Sequence, residues 1–338
     1  MFQHRHLTGL QGVPADGIRE LLRRAVGMRG ADGLPRRSES LRGRLVANLF
    51  FEDSTRTRTS FSVAARRLGA EVYDLFGQGS SISKGETLAD TALNIVAMGV
   101  DAIVVRAKEN GAALDMARAV ERAATEGVAG LHAAPCSIIN AGDGRHEHPT
   151  QALLDTLTLA EHFGRAGGFD LSGLKVLIVG DIVSSRVARS NAACLPKLGA
   201  ELVLVGPPAL CPPEMEALAD EGTAVRVSHD LDAEIENADA VMMLRVQFER
   251  HEPPADRLPG SAAASPIASP RDYRSRYGLT VDREPRLKPG AVVLHPGPMN
   301  RGLEIDGAVA DGPRSLILRQ AANGIPVRMA VLESRVVP

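Results

Sequence analysis

The stretch Phe50-Phe51-Glu52-Asp53-Ser54-Thr55-Arg56-Thr57-Arg58-Thr59-Ser60-Phe61 sets hydroxyls and guanidiniums where an apolar run gives way to a helical pattern. Upstream, Arg44 to Phe51 reads as a strand buried on both faces. Downstream, Phe61, Ala64, Ala65 and Leu68 fall at i, i+3, i+4 and i+7, the apolar face of a helix from about Thr55 to Leu68. Ser54 and Thr55 therefore sit at a helix start, where backbone N–H groups lack intrahelical acceptors and the macrodipole is positive. Arg56 adds full charge, so the segment reads as a cradle for a phosphate-sized anion. The alternative is an N-cap followed by solvated arginines. Two arginines interleaved with threonines directly after a buried strand favour the cradle.

In open α/β sheets, ligands lie beyond the carboxyl ends of the strands, and the polar residues at those positions are unusually basic here. Arg106 ends a later strand, and His148 with Gln151 follows another. Arg186 opens a helix after Val179-Gly180-Asp181, while Arg245 and Gln247 follow Val241-Met242-Met243-Leu244. Each guanidinium alone could be an ordinary ion pair. Their recurrence at strand ends in both halves predicts an interdomain cleft that holds a strongly charged anion on one side and carboxylates on the other. Gly180 begins no dinucleotide fingerprint, because no further glycine follows until Gly199. A phosphate-binding Gly-x-x-x-x-Gly-Lys-Ser/Thr loop is also absent from the sequence.

The elements that must position these residues alternate. Helix 16–26 is followed by strands at 44–51, 71–76, 101–106 and 136–140, with helices at 55–68, 86–98 and 111–126 between them. A second series has strands at 175–179, 201–205, 224–227, 240–244 and 291–294, and helices at 150–163, 186–198, 213–220 and 231–236. A closing helix spans about Asn323 to Glu333. The pattern predicts two α/β domains, each a doubly wound parallel sheet, joined by interdomain helices. The first covers residues 1–149, completed by the C-terminal helix at about 320–338, and the second covers 150–319. The Gly/Ser loop from Gly77 to Lys84 and the Pro/Ala/Ser-rich stretch from Glu252 to Pro270 read as surface loops, the latter a candidate lid.

A length of 338 residues suffices for two cores, and a formal net charge of −2 argues against nucleic-acid or membrane partners in favour of small-molecule chemistry. Met1 to Leu10 carries His4, Arg5 and His6 without an apolar core, so it reads as neither signal peptide nor anchor. With no apolar run of membrane-spanning length, the expected location is the cytoplasm. Cys136, Cys194 and Cys211 lack ligand spacing and are expected to be buried thiols, with no metal site.

Ser54-Thr55-Arg56-Thr57-Arg58, His148-Pro149-Thr150-Gln151-Ala152-Leu153-Leu154-Asp155 and His295-Pro296-Gly297-Pro298 together resemble the motifs of the aspartate/ornithine carbamoyltransferase family. Ser80-Ser81-Ile82-Ser83-Lys84-Gly85-Glu86-Thr87-Leu88, Arg245-Val246-Gln247 and Pro298-Met299-Asn300-Arg301-Gly302 are similar to its aspartate-specific branch. The resemblance runs from His6-Leu7 to Arg328 with the motifs in the family's order. It implies transfer of the carbamoyl group of carbamoyl phosphate to the amine of L-aspartate, giving N-carbamoyl-L-aspartate and phosphate in de novo pyrimidine biosynthesis. By motif match, Ser54, Thr55, Arg56, Thr57 and Arg106 would bind phosphate. Thr57, Arg106 and His148 would contact the carbonyl oxygen as the tetrahedral centre forms. Gln151 and the backbone of Gly297 and Pro298 would hold the carbamoyl nitrogen, and Arg186, Arg245 and Gln247 the aspartate carboxylates. Ser80 and Lys84 would enter the neighbouring subunit's site, Ser80 at carbamoyl phosphate and Lys84 at both substrates, which makes a homotrimer the catalytic unit. No metal or organic cofactor is implied, since positioning and charge stabilisation suffice for a good leaving group.

A regulatory subunit or a dihydroorotase stand as candidate further partners. His146 and His295 read as structural. Many relatives carry leucine where Gly297 stands, a change that a backbone role tolerates. Ornithine carbamoyltransferase is the nearest rival. It is disfavoured by Pro296-Gly297-Pro298 in place of a cysteine, by the presence of Lys84, and by the poor fit of a cationic side chain against Arg186 and Arg245. A catalytically silent homologue acting as an assembly partner is the rival of a different class, and it would have no need of the intact basic and hydroxyl set.

Overall fold

The computed structural model describes residues 5–76, 86–128, 136–246 and 269–337. The chain divides into two compact units, residues 1–157 with 321–338 and residues 158–320. The boundaries fall inside two helices, α5 (Pro149–His162) and α10 (Ile317–Val336).

The first unit contains α1 (Ala15–Gly27), β1 (Leu45–Phe50), α2 (Thr55–Arg67), β2 (Glu71–Phe76), α3 (Leu88–Ala97), β3 (Ala102–Ala107), α4 (Ala112–Glu126) and β4 (Ser137–Asp143). Its four strands are parallel in the order β2-β1-β3-β4. β1 pairs with β2 on one side and with β3 on the other, so the order reverses between β1 and β3. That reversal leaves a crevice at the strand ends, where ligands of such sheets bind. Apolar runs in β1 and β3 bury both faces, and Ala47, Leu49, Ile103 and Val105 pack with Ile95, Met116 and Ile138. Polar Asn48 is tolerated inside β1 because its Nδ2 donates to Ser62 Oγ and to Asp74 Oδ1, both at 2.9 Å.

The second unit contains β5 (Lys175–Val179), α6 (Arg186–Ala192), β6 (Glu201–Val205), β7 (Val225–Ser228), α7 (Leu231–Ile235), β8 (Ala240–Met243), α8 (Pro270–Tyr277), β9 (Val292–Leu294) and α9 (Gly307–Ala310). Its parallel order is β7-β6-β5-β8-β9, with the reversal between β5 and β8. Leu177, Val179, Val203, Val241, Met243 and Val293 pack with Tyr273 and Tyr277 in its core.

Two expected α-helices are partly or wholly 3₁₀ instead. The helix expected over 186–198 ends at Ala192 and continues as a 3₁₀ turn at Pro196–Leu198, since Pro196 lacks the N–H that an α-helix needs. The expected helix at 213–220 is likewise a 3₁₀ turn, Pro213–Leu218, behind Pro212. Cys136, Cys194 and Cys211 are free and buried. Burial pushes the Cys136 and Cys211 thiols up to about 12, which leaves them protonated.

Candidate functional site

The residues that follow β1, β3 and β4 form the site of the first unit. Ser54 stands at the N-cap of α2 without its side chain bonding the helix N–H groups, so those donors are not taken up by an internal cap. Thr57 is buried at 8 % exposure, while Thr55 and Arg56 are exposed at the strand-to-helix turn. Partial desolvation holds the Arg56 guanidinium below the usual arginine value, and the group stays charged at neutral pH. The β1/β3 register sets Phe50 opposite Arg106. The Arg106 side chain is fixed at two points, Nη1 donating to the Ala141 carbonyl at 3.2 Å and Nε lying 3.3 Å from Glu52 Oε2.

His148 precedes α5, and its carbonyl accepts from Gln151 N at 2.9 Å, which starts the helix. It is buried at 4 % exposure. The turn that carries it is pinned by polar residues that sequence reading did not single out. Asn140 Nδ2 donates to Asp143 Oδ1 and to the Thr8 carbonyl, both at 2.8 Å. Glu147 N donates to Asp143 Oδ1 at 3.1 Å. The Glu147 carboxylate in turn accepts from Leu10 N at 2.8 Å and Gln11 N at 3.1 Å. Such a satisfied buried network fixes the backbone on which His148 is mounted. The only sequence signal was three polar residues, Asn140, Asp143 and Glu147, beside an apolar strand.

In the second unit the basic residues again gather at the order reversal. Ser185 Oγ accepts from Ala188 N at 3.1 Å and caps α6, whose first residue is the buried Arg186. Gly180 is required at the end of β5: its φ is +137° and a Cβ there would lie 2.9 Å from the Leu244 carbonyl oxygen. Arg245 is half-buried after β8. The next residue's carbonyl, that of Val246, accepts from Asn300 Nδ2 at 3.4 Å. Asn300 belongs to the turn after β9 that contains Gly297 and Pro298. His295 organises this turn. Its Nδ1 accepts from Gly297 N at 2.7 Å, so Nε2 carries the proton and donates to Glu304 Oε1 at 3.3 Å. The structure thus brings Ser54, Thr55, Arg56, Thr57, Arg106, His148 and Gln151 into one unit. It brings Arg186, Arg245, Gly297 and Pro298 into the other. Ser80, Lys84 and Gln247 lie outside the described residues.

Among the described residues, no cluster of His, Cys, Asp and Glu is arranged to hold a metal ion, and no helix is long and apolar enough to cross a membrane.

A family model described as the aspartate/ornithine carbamoyltransferase carbamoyl-P binding domain matches residues 5–161, and one described as the Asp/Orn binding domain of the same family matches residues 172–334. The chain belongs to the aspartate/ornithine carbamoyltransferase family. Within that family it is 50 % identical to the aspartate carbamoyltransferase catalytic subunit of Myxococcus xanthus, over 97 % of this chain and 98 % of that protein. It is 48 % identical to the catalytic subunit of Salinispora arenicola, over 97 % and 96 %. Among solved structures of the family, aspartate transcarbamoylase from Trypanosoma cruzi in complex with carbamoyl phosphate is similar at a TM-score of 0.77 and 29 % identity, covering 97 % of this chain and 95 % of that one. Ornithine carbamoyltransferase from Pyrococcus furiosus is similar at a TM-score of 0.79 and 29 % identity, with the same coverage of 97 % and 95 %.

Proposed function

We propose that the chain is an aspartate carbamoyltransferase, transferring the carbamoyl group of carbamoyl phosphate to the amine of L-aspartate in pyrimidine biosynthesis. The observation that carries this reading is the anion cradle: Ser54, Thr55, Arg56 and Thr57 at the start of α2, with Arg106 on the adjacent strand, in a chain of this family. The helix start and the two guanidiniums bind the phosphate dianion. Thr57, Arg106 and His148 donate to the carbonyl oxygen. As the aspartate nitrogen attacks, the new C–N bond forms and the carbonyl electron pair moves onto that oxygen. Collapse of the tetrahedral centre breaks the bond between carbon and the bridging phosphate oxygen, and the proton lost by the attacking amine passes to the departing phosphate. Donors already in place where negative charge develops accelerate such a step most.

Arg186 and Arg245 receive the aspartate carboxylates, together with Gln247 and Lys84, and the Gly297 and Pro298 backbone offers further acceptors to substrate. Arginine forks match carboxylates and repel the ammonium of ornithine, which favours aspartate within the family. In the same reading the chain works in the cytoplasm as a homotrimer in which Ser80 and Lys84 serve a neighbour's site. Edge strand β2 supports this assembly. Tyr73 and Leu75, alternate residues on one face, are 59 % and 37 % exposed immediately before the 77–85 segment.

The test is an assay of the purified chain with carbamoyl phosphate and, in parallel, aspartate or ornithine. Carbamoylaspartate should form and citrulline should not. Citrulline as the main product would overturn the assignment.

A further inference from the structure

Gln151 Nε2 donates to Asp155 Oδ1 at 2.9 Å, one turn along α5. Among the described residues the Gln151 side chain makes no other hydrogen bond. An ionised carboxylate only accepts, so this contact decides which end of the amide faces it: the NH₂ lies against Asp155 and Oε1 is turned away. Asp155 is 0 % exposed, and Arg328 on α10 is 4 % exposed. Arg328 is a buried cation within electrostatic reach of that carboxylate. Burial lowers the Arg328 guanidinium to about 10, the charge of Asp155 acting to raise it and that of Arg56 to lower it, so it remains a cation at neutral pH. Its Cζ lies 5.1 Å from the centre of the Phe61 ring, on the apolar face of the cradle helix α2. A Cβ at Gly324 would collide with Arg328 Nη1, so glycine there leaves room for the guanidinium.

We propose that Asp155 is a positioning residue that locks the Gln151 amide with its carbonyl oxygen presented as an acceptor. Gln151 is then fixed to receive an N–H from the carbamoyl NH₂ group, and the pair sets selectivity for carbamoyl phosphate over acetyl phosphate, whose methyl group offers no donor. The inference rests on the proposed assignment of Gln151 to the carbamoyl nitrogen.

The test compares the KM of carbamoyl phosphate with the inhibition constant of acetyl phosphate in wild type and D155N. Asparagine presents a donor as well as an acceptor, so the Gln151 amide can turn over. The KM should rise about tenfold, while the acetyl phosphate constant stays within about twofold, as loss of one oriented hydrogen bond requires. A parallel rise in both constants, or no change in either, overturns the inference. Should D155N fail to fold, D155N/R328M removes both buried charges together and carries the same readout. Failure of both to fold would make the pair scaffold and also overturn it. Wild type inert toward carbamoyl phosphate would sink the functional reading itself, whereas an active wild type with an unchanged ratio in D155N sinks only this inference.

Discussion

Arg106 Nε and Glu52 Oε2 lie 3.3 Å apart, joining the ends of two adjacent parallel strands through side chains that are both largely buried. The backbone repeats the link, Phe51 N donating to the Arg106 carbonyl at 2.8 Å. With Nη1 held by the Ala141 carbonyl, the plane of the guanidinium is set before any anion arrives. Preorganisation of this kind makes a charged donor worth more in the transition state than in solution.

Glu52→Ala should therefore loosen Arg106 without emptying the core. Losing this largely buried ion-pair contact should cost about 1.5–3 kcal/mol, which corresponds to a fall of roughly 10–100-fold in kcat/KM for carbamoyl phosphate. Steady-state kinetics with a thermal melt in parallel would check this. A wild-type kcat/KM would show that Arg106 needs no anchor at Glu52.

His148→Ala should lower kcat by about 10²–10³ through loss of one donor to the developing oxyanion. Folding should persist, because the preceding turn is held by the buried contacts of Asn140, Asp143 and Glu147. Unchanged turnover in a folded variant would give His148 a structural role.

The cradle was legible because its signals are local. An apolar run ends, a 3.6-residue period begins, and hydroxyls and guanidiniums fill the joint. The polar support of His148 was not, because Glu147 bonds Leu10 N and Gln11 N, which are remote in sequence. Helix α10 begins earlier than the expected Asn323, at Ile317, for a similar reason. The chain before it is tied to β9, with Val293 N donating to the Arg314 carbonyl and Leu316 N to the Val293 carbonyl, both at 2.8 Å. These strand-like contacts set the direction in which the helix leaves. The 3₁₀ turn behind Pro212 and Pro213 shows the opposite case, where a local signal was present and a periodic pattern outweighed it in the reading.

Glu234 offers a test of stability in the second unit. Arg226 donates to it through Nη1 at 2.5 Å and Nη2 at 2.8 Å, and Lys175 Nζ through a 2.7 Å contact. The Arg226 hydrogen bonds, then those of Lys175, hold its carboxyl down to about 2 against the opposing effect of burial. A depressed folded-state value stabilises the native state above the ordinary glutamate range, and the contribution is lost as pH falls from about 4.5 toward 2. Arg226 is half-exposed, so solvent screening limits the gain to about 1 kcal/mol. Glu234→Gln should lower the urea midpoint at pH 6 and approach wild type below pH 3. An equal deficit at both values would mean that packing, not charge, is lost.

The shared site is tested by mixing two defective chains. Arg56→Ala removes the charge at the start of α2, where losing a charge-assisted phosphate contact costs about 2–4 kcal/mol of transition-state stabilisation. Lys84→Ala removes the group assigned to the neighbouring site. Each variant alone damages every site of its own trimer and should be nearly inactive. A mixed trimer, however, contains interfaces where an intact cradle on one chain meets an intact Lys84 segment on the next. With random assembly of equal amounts, the chance of such an interface is about one in four, so activity should recover to about a quarter of wild type, as a closed cyclic assembly requires. The variants would be dissociated, mixed and reassociated, with each parent treated alone as the control. Hybrids as inactive as their parents would place Lys84 in its own chain's site or in none, and the trimer would lose its catalytic rationale.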